Sequence, residues 1–195
     1  MYRDRPLANA ANRQGGAFPT YRARVERRDW VSECNRGASA FCSGVNVAVA
    51  LPDHPSFVTP AEREVWQRLQ RQLGDDCILL ANYRLSDRHK DHEADLVALM
   101  PDSGVVVVEV KGSHVWVEPD GRWMITRQDG DAQIHPVDQA RDAAYALRNF
   151  VEADPRWTRT RIRWSHHVVL ARTSLADDFA APECPRWQVS GKGDL

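Results

Sequence analysis

Two charged residues at the end of an otherwise apolar run give the first chemical clue in this chain. Gly104-Val-Val-Val-Val108 continues into Glu109-Val110-Lys111, and alternation along a strand puts Glu109 and Lys111 on one face, about 7 Å apart. Charges buried there without partners would be costly. A strand emerging into water with a solvated pair would account for them, but Asp95, upstream on the neighbouring strand, tips the balance. A three-residue hairpin loop, Asp102-Ser103-Gly104, with Gly104 in the left-handed position of a bulge, makes Pro101 face Val105. It sets Asp95 opposite Lys111 and diagonal to Glu109. An even-numbered loop would send Asp95 to the other face. An Asp, a Glu and a Lys together suit a hard divalent cation, Mg²⁺ or Mn²⁺, which takes carboxylate oxygens, keeps waters and accepts phosphate oxygen. Phosphodiester hydrolysis fits these parts, with the ammonium orienting a water or neutralising the transition state.

The elements that must position these residues are legible around them. Thr59-Pro60-Ala61-Glu62 reads as a helix start, with a Thr cap, Pro at the first helical position and Glu completing a capping box. Val65, Trp66, Leu69 and Leu73 follow at helical spacing until Gly74. Strands are expected over 77–83, 95–100 and 105–111, and a small hairpin joins 115–117 to 123–125 around Pro119-Asp120-Gly121. Pro136 opens a second helix whose stripe runs Val137, Ala140, Ala144, Leu147 and Val151, and Asp154-Pro155 ends it. A late strand over 161–170 follows, then one more short strand at 187–189. The order implies an α/β fold, a mixed central sheet flanked by helices.

Composition narrows the classes. The 195 residues carry a formal charge of -1, with 43% hydrophobic and 27% charged, so there is no global basic field and an anionic partner must be met locally. No apolar run reaches the roughly 20 residues of a membrane helix, and Met1-Tyr-Arg-Asp-Arg5 lacks a signal-peptide core, which reads as cytoplasmic. Cys34, Cys42, Cys77 and Cys184 form neither a disulfide framework nor a zinc pattern. Residues 1–50 hold eight Arg against four acidic residues with little periodicity, a disordered basic leader before a domain at 51–195, although Val45–Leu51 could add a strand.

Four blocks in order then resemble a known family. Glu62-x-x-Val65-x-x-x-Leu69, Glu93-Ala-Asp95-Leu-Val97, Gly104-Val-Val-Val-Val-Glu-Val-Lys-Gly112 and His135-Pro136-x-x-Gln139 look like the nuclease-related domain (NERD) family. That family belongs to the PD-(D/E)xK nucleases of restriction-endonuclease-like fold, and the similarity covers about residues 59–190. By that resemblance Asp95 and Glu109 hold the metal, Lys111 serves the water, and Glu62 and Gln139 line the site from the two helices. The activity implied is metal-dependent cleavage of nucleic acid, DNA rather than RNA, in DNA processing or repair. Some members carry a helicase or kinase domain on the same chain; none is visible here, so such a domain would lie on a longer chain or a partner. The other reading is a non-catalytic nucleic-acid-binding or assembly module of the same fold. A pure binding module, however, has no need of two carboxylates facing a polyanion.

Rival explanations stand beside several of these residues. Glu62 is equally the capping-box glutamate, Glu64 points nearly opposite on its helix, and Gln139 is one position off the apolar stripe. His89-x-x-His92-x-x-Asp95 has a loose metal-ligand look but lacks the spacing of structural zinc. Arg156, Arg159, Arg161 and Arg163, with Trp157, Trp164 and His166-His167, could meet phosphates and stack on bases, or form a solvated edge. There is neither a phosphate-binding glycine loop nor a Gly-x-Ser-x-Gly elbow.

Overall fold

The computed structural model describes residues 47–86, 90–101, 103–158 and 161–195. The expected leader therefore lies outside the described residues up to position 46. Ala48 is buried and Val49–Leu51 forms β1, so the last residues of the expected leader belong to the sheet. The central sheet adds β2 (Ile78–Ser86), β3 (Asp91–Met100), β4 (Gly104–Lys111), β8 (Trp164–Leu170) and β11 (Val189–Ser190). Its order is β1-β2-β3-β4-β8-β11. β2, β3 and β4 pair antiparallel, whereas β1 with β2, β4 with β8, and β8 with β11 run parallel. A separate three-stranded sheet holds β5 (Val115–Val117), β6 (Trp123–Arg127) and β7 (Gly130–Ile134), and a two-stranded ribbon pairs β9 (Ala180–Ala181) with β10 (Cys184–Pro185).

Two helices cover opposite faces of the central sheet. Helix α1 (Pro60–Gln72) is capped as its sequence specifies, with the Glu62 N–H donating to Thr59 Oγ1 at 3.2 Å. Its Ala61, Val65 and Trp66 pack on Leu79, Ala81, Leu96, Ala98, Val108, Val110 and Val169. Helix α2 (Pro136–Glu152) sets Ala143, Ala144 and Leu147 on Ala94, Val97, Val105 and Val107. Farther along, its Val137 and Ala140 join Val168, Leu170 and the inner residues of the small sheet. This is the expected α/β fold, a mixed central sheet flanked by helices. The Val run of β4 follows from its place between β3 and β8, covered on both faces.

One register expectation is corrected. β3 and β4 pair from Leu96 with Val108 to Met100 with Gly104, so the connection runs from Met100 to Gly104 and Pro101 does not face Val105. The shift is two residues: continued one step, the register sets Asp95 level with Glu109 rather than Lys111. Faces are preserved because two is the period of a strand. The cause lies in Gly104, which is inside the strand rather than in the loop. Its φ is +112°, and a Cβ there would come within 2.2 Å of the Arg163 carbonyl oxygen, where β8 begins to pair and the Val105 N–H donates to that same oxygen at 2.9 Å.

Gly104→Ala meets both the backbone strain and the collision, so it should destabilise the domain by about 2 kcal/mol or more. Urea unfolding of the two proteins is the measurement. An unchanged midpoint would mean β8 can withdraw without loss.

Candidate active site

The site forms where β3 and β4 part. The last ladder pair is Leu96 with Val108; beyond it the Val110 N–H donates to Asp95 Oδ2 at 2.7 Å. A side-chain carboxylate thus takes the main-chain donor, and the two strands open around it. Glu109 is 8% exposed beside it. Lys111, on the same face of β4, donates from Nζ to Glu109 Oε1 at 2.6 Å and to Gln139 Oε1 at 2.9 Å. Gln139 stands in the first turn of α2, one position off its apolar stripe, and that offset carries it to the sheet.

Glu62 approaches from the other helix. Gly112, next after Lys111, lies so close to α1 that a Cβ would meet Ala61 Cβ at 3.0 Å, so the first turn of α1 sits directly on the end of β4. The Glu62 carboxylate, 5% exposed, accepts from the Val58 N–H at 3.0 Å and from the Thr59 hydroxyl at 2.9 Å. Capping occupies its oxygens, yet its negative charge still acts on both Asp95 and Glu109. The two readings of Glu62 are compatible. Glu64 is engaged elsewhere, by Arg172 and Arg68.

Too much negative charge is buried here for one ammonium. Burial, then the neighbouring Glu109, push the Asp95 carboxyl up to about 7, against the pull of the Val110 N–H and Lys111. Burial likewise raises Glu109, with Glu93 and Glu62 adding to it and Lys111 opposing. Two adjacent carboxylates whose charge is undercompensated form a hard-oxygen donor set that fits Mg²⁺ or Mn²⁺. A cleft of about 290 Å³ lined by Lys90, Asp91, His92, Glu93, Asp95, Glu109, Gln139, Asp142 and Ala143 leaves room for water and phosphate. Among the described residues no group of three or more His, Cys, Asp or Glu forms a ready metal cage. Part of any cation's shell would therefore come from water or substrate.

The other sequence candidates fall elsewhere. His89 lies outside the described residues, so the His89/His92/Asp95 zinc pattern is not assembled among them. Arg156 is held by Asp154, Nε to Oδ1 at 2.9 Å and Nη2 to Oδ2 at 2.6 Å. Arg159 is outside the described residues. Arg161 and Arg163 line a separate cavity of about 420 Å³ with Gly104 and Val105, at the opposite end of β4 from Lys111. Seven strand steps, about 23 Å, separate the two ends. Trp157 lies in the turn after α2, where its N–H donates to the Asp154 carbonyl at 2.8 Å. His166 and His167 point to opposite faces of β8, and His167 Nε2 meets Ser190 Oγ at 2.9 Å. Sequence reasoning missed Glu93, which acts on Glu109, and Asp142, which pairs with Lys90 at the rim. Asp142 had a signal: it is three residues after Gln139, on the same helix face.

The raised Asp95 carboxyl makes the site a liability for the metal-free protein. Between the ordinary carboxylate range and about pH 7 the native state holds a proton that the unfolded chain has released, so stability falls as pH rises through that window. Asp95→Asn keeps an oxygen for the Val110 N–H and removes the charge. It should raise metal-free stability at pH 8 by on the order of 1–2 kcal/mol, with the advantage shrinking toward pH 4. Urea titrations at both pH values check this; a less stable Asn variant at pH 8 contradicts it.

Comparison with known proteins gives one finding. The family model described as nuclease-related domain matches residues 59–171, from the cap of α1 to the residue after β8. It spans all four blocks and stops short of residue 190. Neither a curated protein nor a solved structure matches the chain. Coverage of more than half the chain, over the helix, ladder and second helix that build the site, decides the assignment: this chain belongs to the nuclease-related domain family, in the PD-(D/E)xK superfamily of restriction-endonuclease-like fold, and its function is nuclease-related.

Proposed function

We propose that this domain is a metal-dependent nuclease that hydrolyses phosphodiester bonds of DNA, in DNA processing or repair. The observation that carries the reading is the pairing of half-buried Asp95 with buried Glu109 beside an ammonium that reaches both Glu109 and Gln139. Asp95 and Glu109 would hold the cation, Mg²⁺ or Mn²⁺. When bound, the cation supplies positive charge that acidifies water and offsets charge on the phosphoryl oxygens. Asp95 is fixed by the Val110 N–H, so it does not have to reorganise. Glu109 would turn from Lys111 to hold the cation, and the bond from Lys111 Nζ to Gln139 Oε1 would keep the ammonium beside the site. From there Lys111 orients the attacking water or stabilises charge in the transition state. Glu62 adds negative potential from the end of α1, drawing a cation in. Arg161 and Arg163, exposed and without an ion pair among the described residues, offer phosphate contacts at the far end of the sheet.

Three variants separate these roles. Asp95→Ala and Glu109→Ala should lose both Mn²⁺ binding and cleavage. Lys111→Ala removes the ammonium that competes for Glu109, so it should bind Mn²⁺ as well or better while single-turnover cleavage of a labelled duplex falls about 10²–10³-fold. Calorimetric titration beside the cleavage assay reads both. Cleavage untouched in all three variants would sink the assignment and leave a binding module.

The arginines are tested by length. Arg161→Ala with Arg163→Ala should weaken binding of a 20-base-pair duplex and flatten its salt dependence by about two phosphate contacts. Cleavage at the centre of a six-base-pair duplex, which extends only about 10 Å to either side of the cut and so falls short of the arginines, should not change. Equal losses for both substrates would place the arginines at the chemistry instead.

A further inference from the structure

The ladder between β2 and β3 is broken at one pair. Residues 78–81 pair with 99–96 and 83–86 with 94–91 in a single register, but Asn82 and Asp95, which that register sets opposite each other, do not pair. Asn82 has φ +50°, the only non-glycine residue with positive φ among the described residues. Both strands change face at this point. In β2, Leu79 and Ala81 pack under α1, whereas Leu80, Tyr83 and Leu85 pack under α2. In β3, Leu96 and Ala98 pack under α1, whereas Ala94 and Val97 pack under α2. Regular alternation would set Tyr83 and Ala94 under α1; instead each strand turns within the broken pair.

That turn sets the direction of Asp95. With Ala94 under α2 and Leu96 under α1, the residue between them is left facing sideways along the sheet toward β4, where its carboxylate meets the Val110 N–H. A regular strand would point Asp95 straight at the α2 face and leave that N–H to a main-chain carbonyl. Left-handed backbone is costly for most residues and is tolerated by Asn. The Asn82 side chain does not otherwise account for its presence: Nδ2 donates to the Ser56 carbonyl, but Oδ1 is buried without a partner.

We infer that Asn82 is a positioning residue for Asp95, and that its left-handed backbone, rather than its side chain, turns β3 so that the carboxylate enters the gap between β3 and β4. The inference rests on the proposed catalytic role of Asp95 only for its functional consequence; the geometric claim stands alone. Glycine preserves the conformation without the amide, and valine favours the regular strand.

The test uses the full chain as Asn82→Gly, Asn82→Val and Asp95→Ala, each assayed where unfolding curves show it folded. The Val110 amide proton, shifted by its carboxyl acceptor, reports the geometry by NMR at one fixed pH. Metal-free protein titrated with Mn²⁺, and single-turnover duplex cleavage, report the consequence. Asn82→Gly should keep the Val110 signal and bind Mn²⁺ within about threefold of the parent. Asn82→Val should move the Val110 signal to that of Asp95→Ala and weaken Mn²⁺ at least tenfold. If Asn82→Val does not fold, Asn82→Ala takes its place with the same expected direction. A folded Val or Ala variant with the parental Val110 signal overturns the inference, as does loss of that signal in Asn82→Gly. If Asp95→Ala leaves Mn²⁺ binding and cleavage unchanged, the nuclease reading fails, and the Val110 signal still decides the positioning claim.

Discussion

The hydrogen bond from the Val110 N–H to the Asp95 carboxylate is the contact on which the site depends. An antiparallel ladder satisfies each main-chain donor with a main-chain acceptor. Here a side chain takes one over, so β3 and β4 can separate without stranding a buried N–H. Separation lets Glu109 line the cleft, with Lys111 bonded to it and to Gln139, while Val108 and Val110, on the other face of the same strand, remain in the core under α1. One bond thus lets a fully covered strand end in an open, charged face.

Keeping that face charged has a cost, and the core around it offsets it. Carboxylates removed from water favour protonation, and neighbouring carboxylates add to the effect. Lys111 compensates only part of this, since its ammonium is shared between Glu109 and a neutral amide. The surrounding packing is dense: Val65, Leu79, Leu96, Val97, Val168 and Leu170 are essentially without exposure. The site also borrows rigidity from both helices, through the capped first turn of α1 against Gly112 and through Gln139 in the first turn of α2. On the proposed reading a cation would relieve the unfavourable charge at the carboxylates, so the electrostatic cost of the metal-free state and the affinity for metal would have one source.

Much of this was legible in the sequence, for reasons that differ by residue. The two helices announced themselves through Thr59, Pro60, Glu62 and Pro136, whose roles are local. The Glu109/Lys111 pair stood out because charges interrupt a valine run. The register did not follow, because Gly104 has two possible uses, a turn or a close approach, and only the position of β8 selects between them. The strand β7, Gly-Asp-Ala-Gln-Ile, is polar and half exposed and was not recognised; its place comes from β6, not from its own pattern. Asn82 in an apolar stretch was a signal of irregular backbone, but no local rule says that the irregularity faces Asp95.

The two ends of β4 are built in opposite ways, and this bears on how a polymer would be read. At the Gly104 end β8 closes against β4, with Val105 N–H and Arg163 carbonyl at 2.9 Å. At the Lys111 end β8 still pairs with β4, but β3 has left the ladder and a cleft opens beside Glu109. Acidic groups crowd the open end, whereas Arg161 and Arg163, without an ion pair among the described residues, flank the closed one. On the proposed reading, phosphate contact at the arginines can hold a nucleic acid without engaging the carboxylates, and the divalent cation is what admits the backbone to the cleft. Binding and cleavage would then be separable by metal, because the arginines sit at the Gly104 end of β4 and the carboxylates toward its Lys111 end.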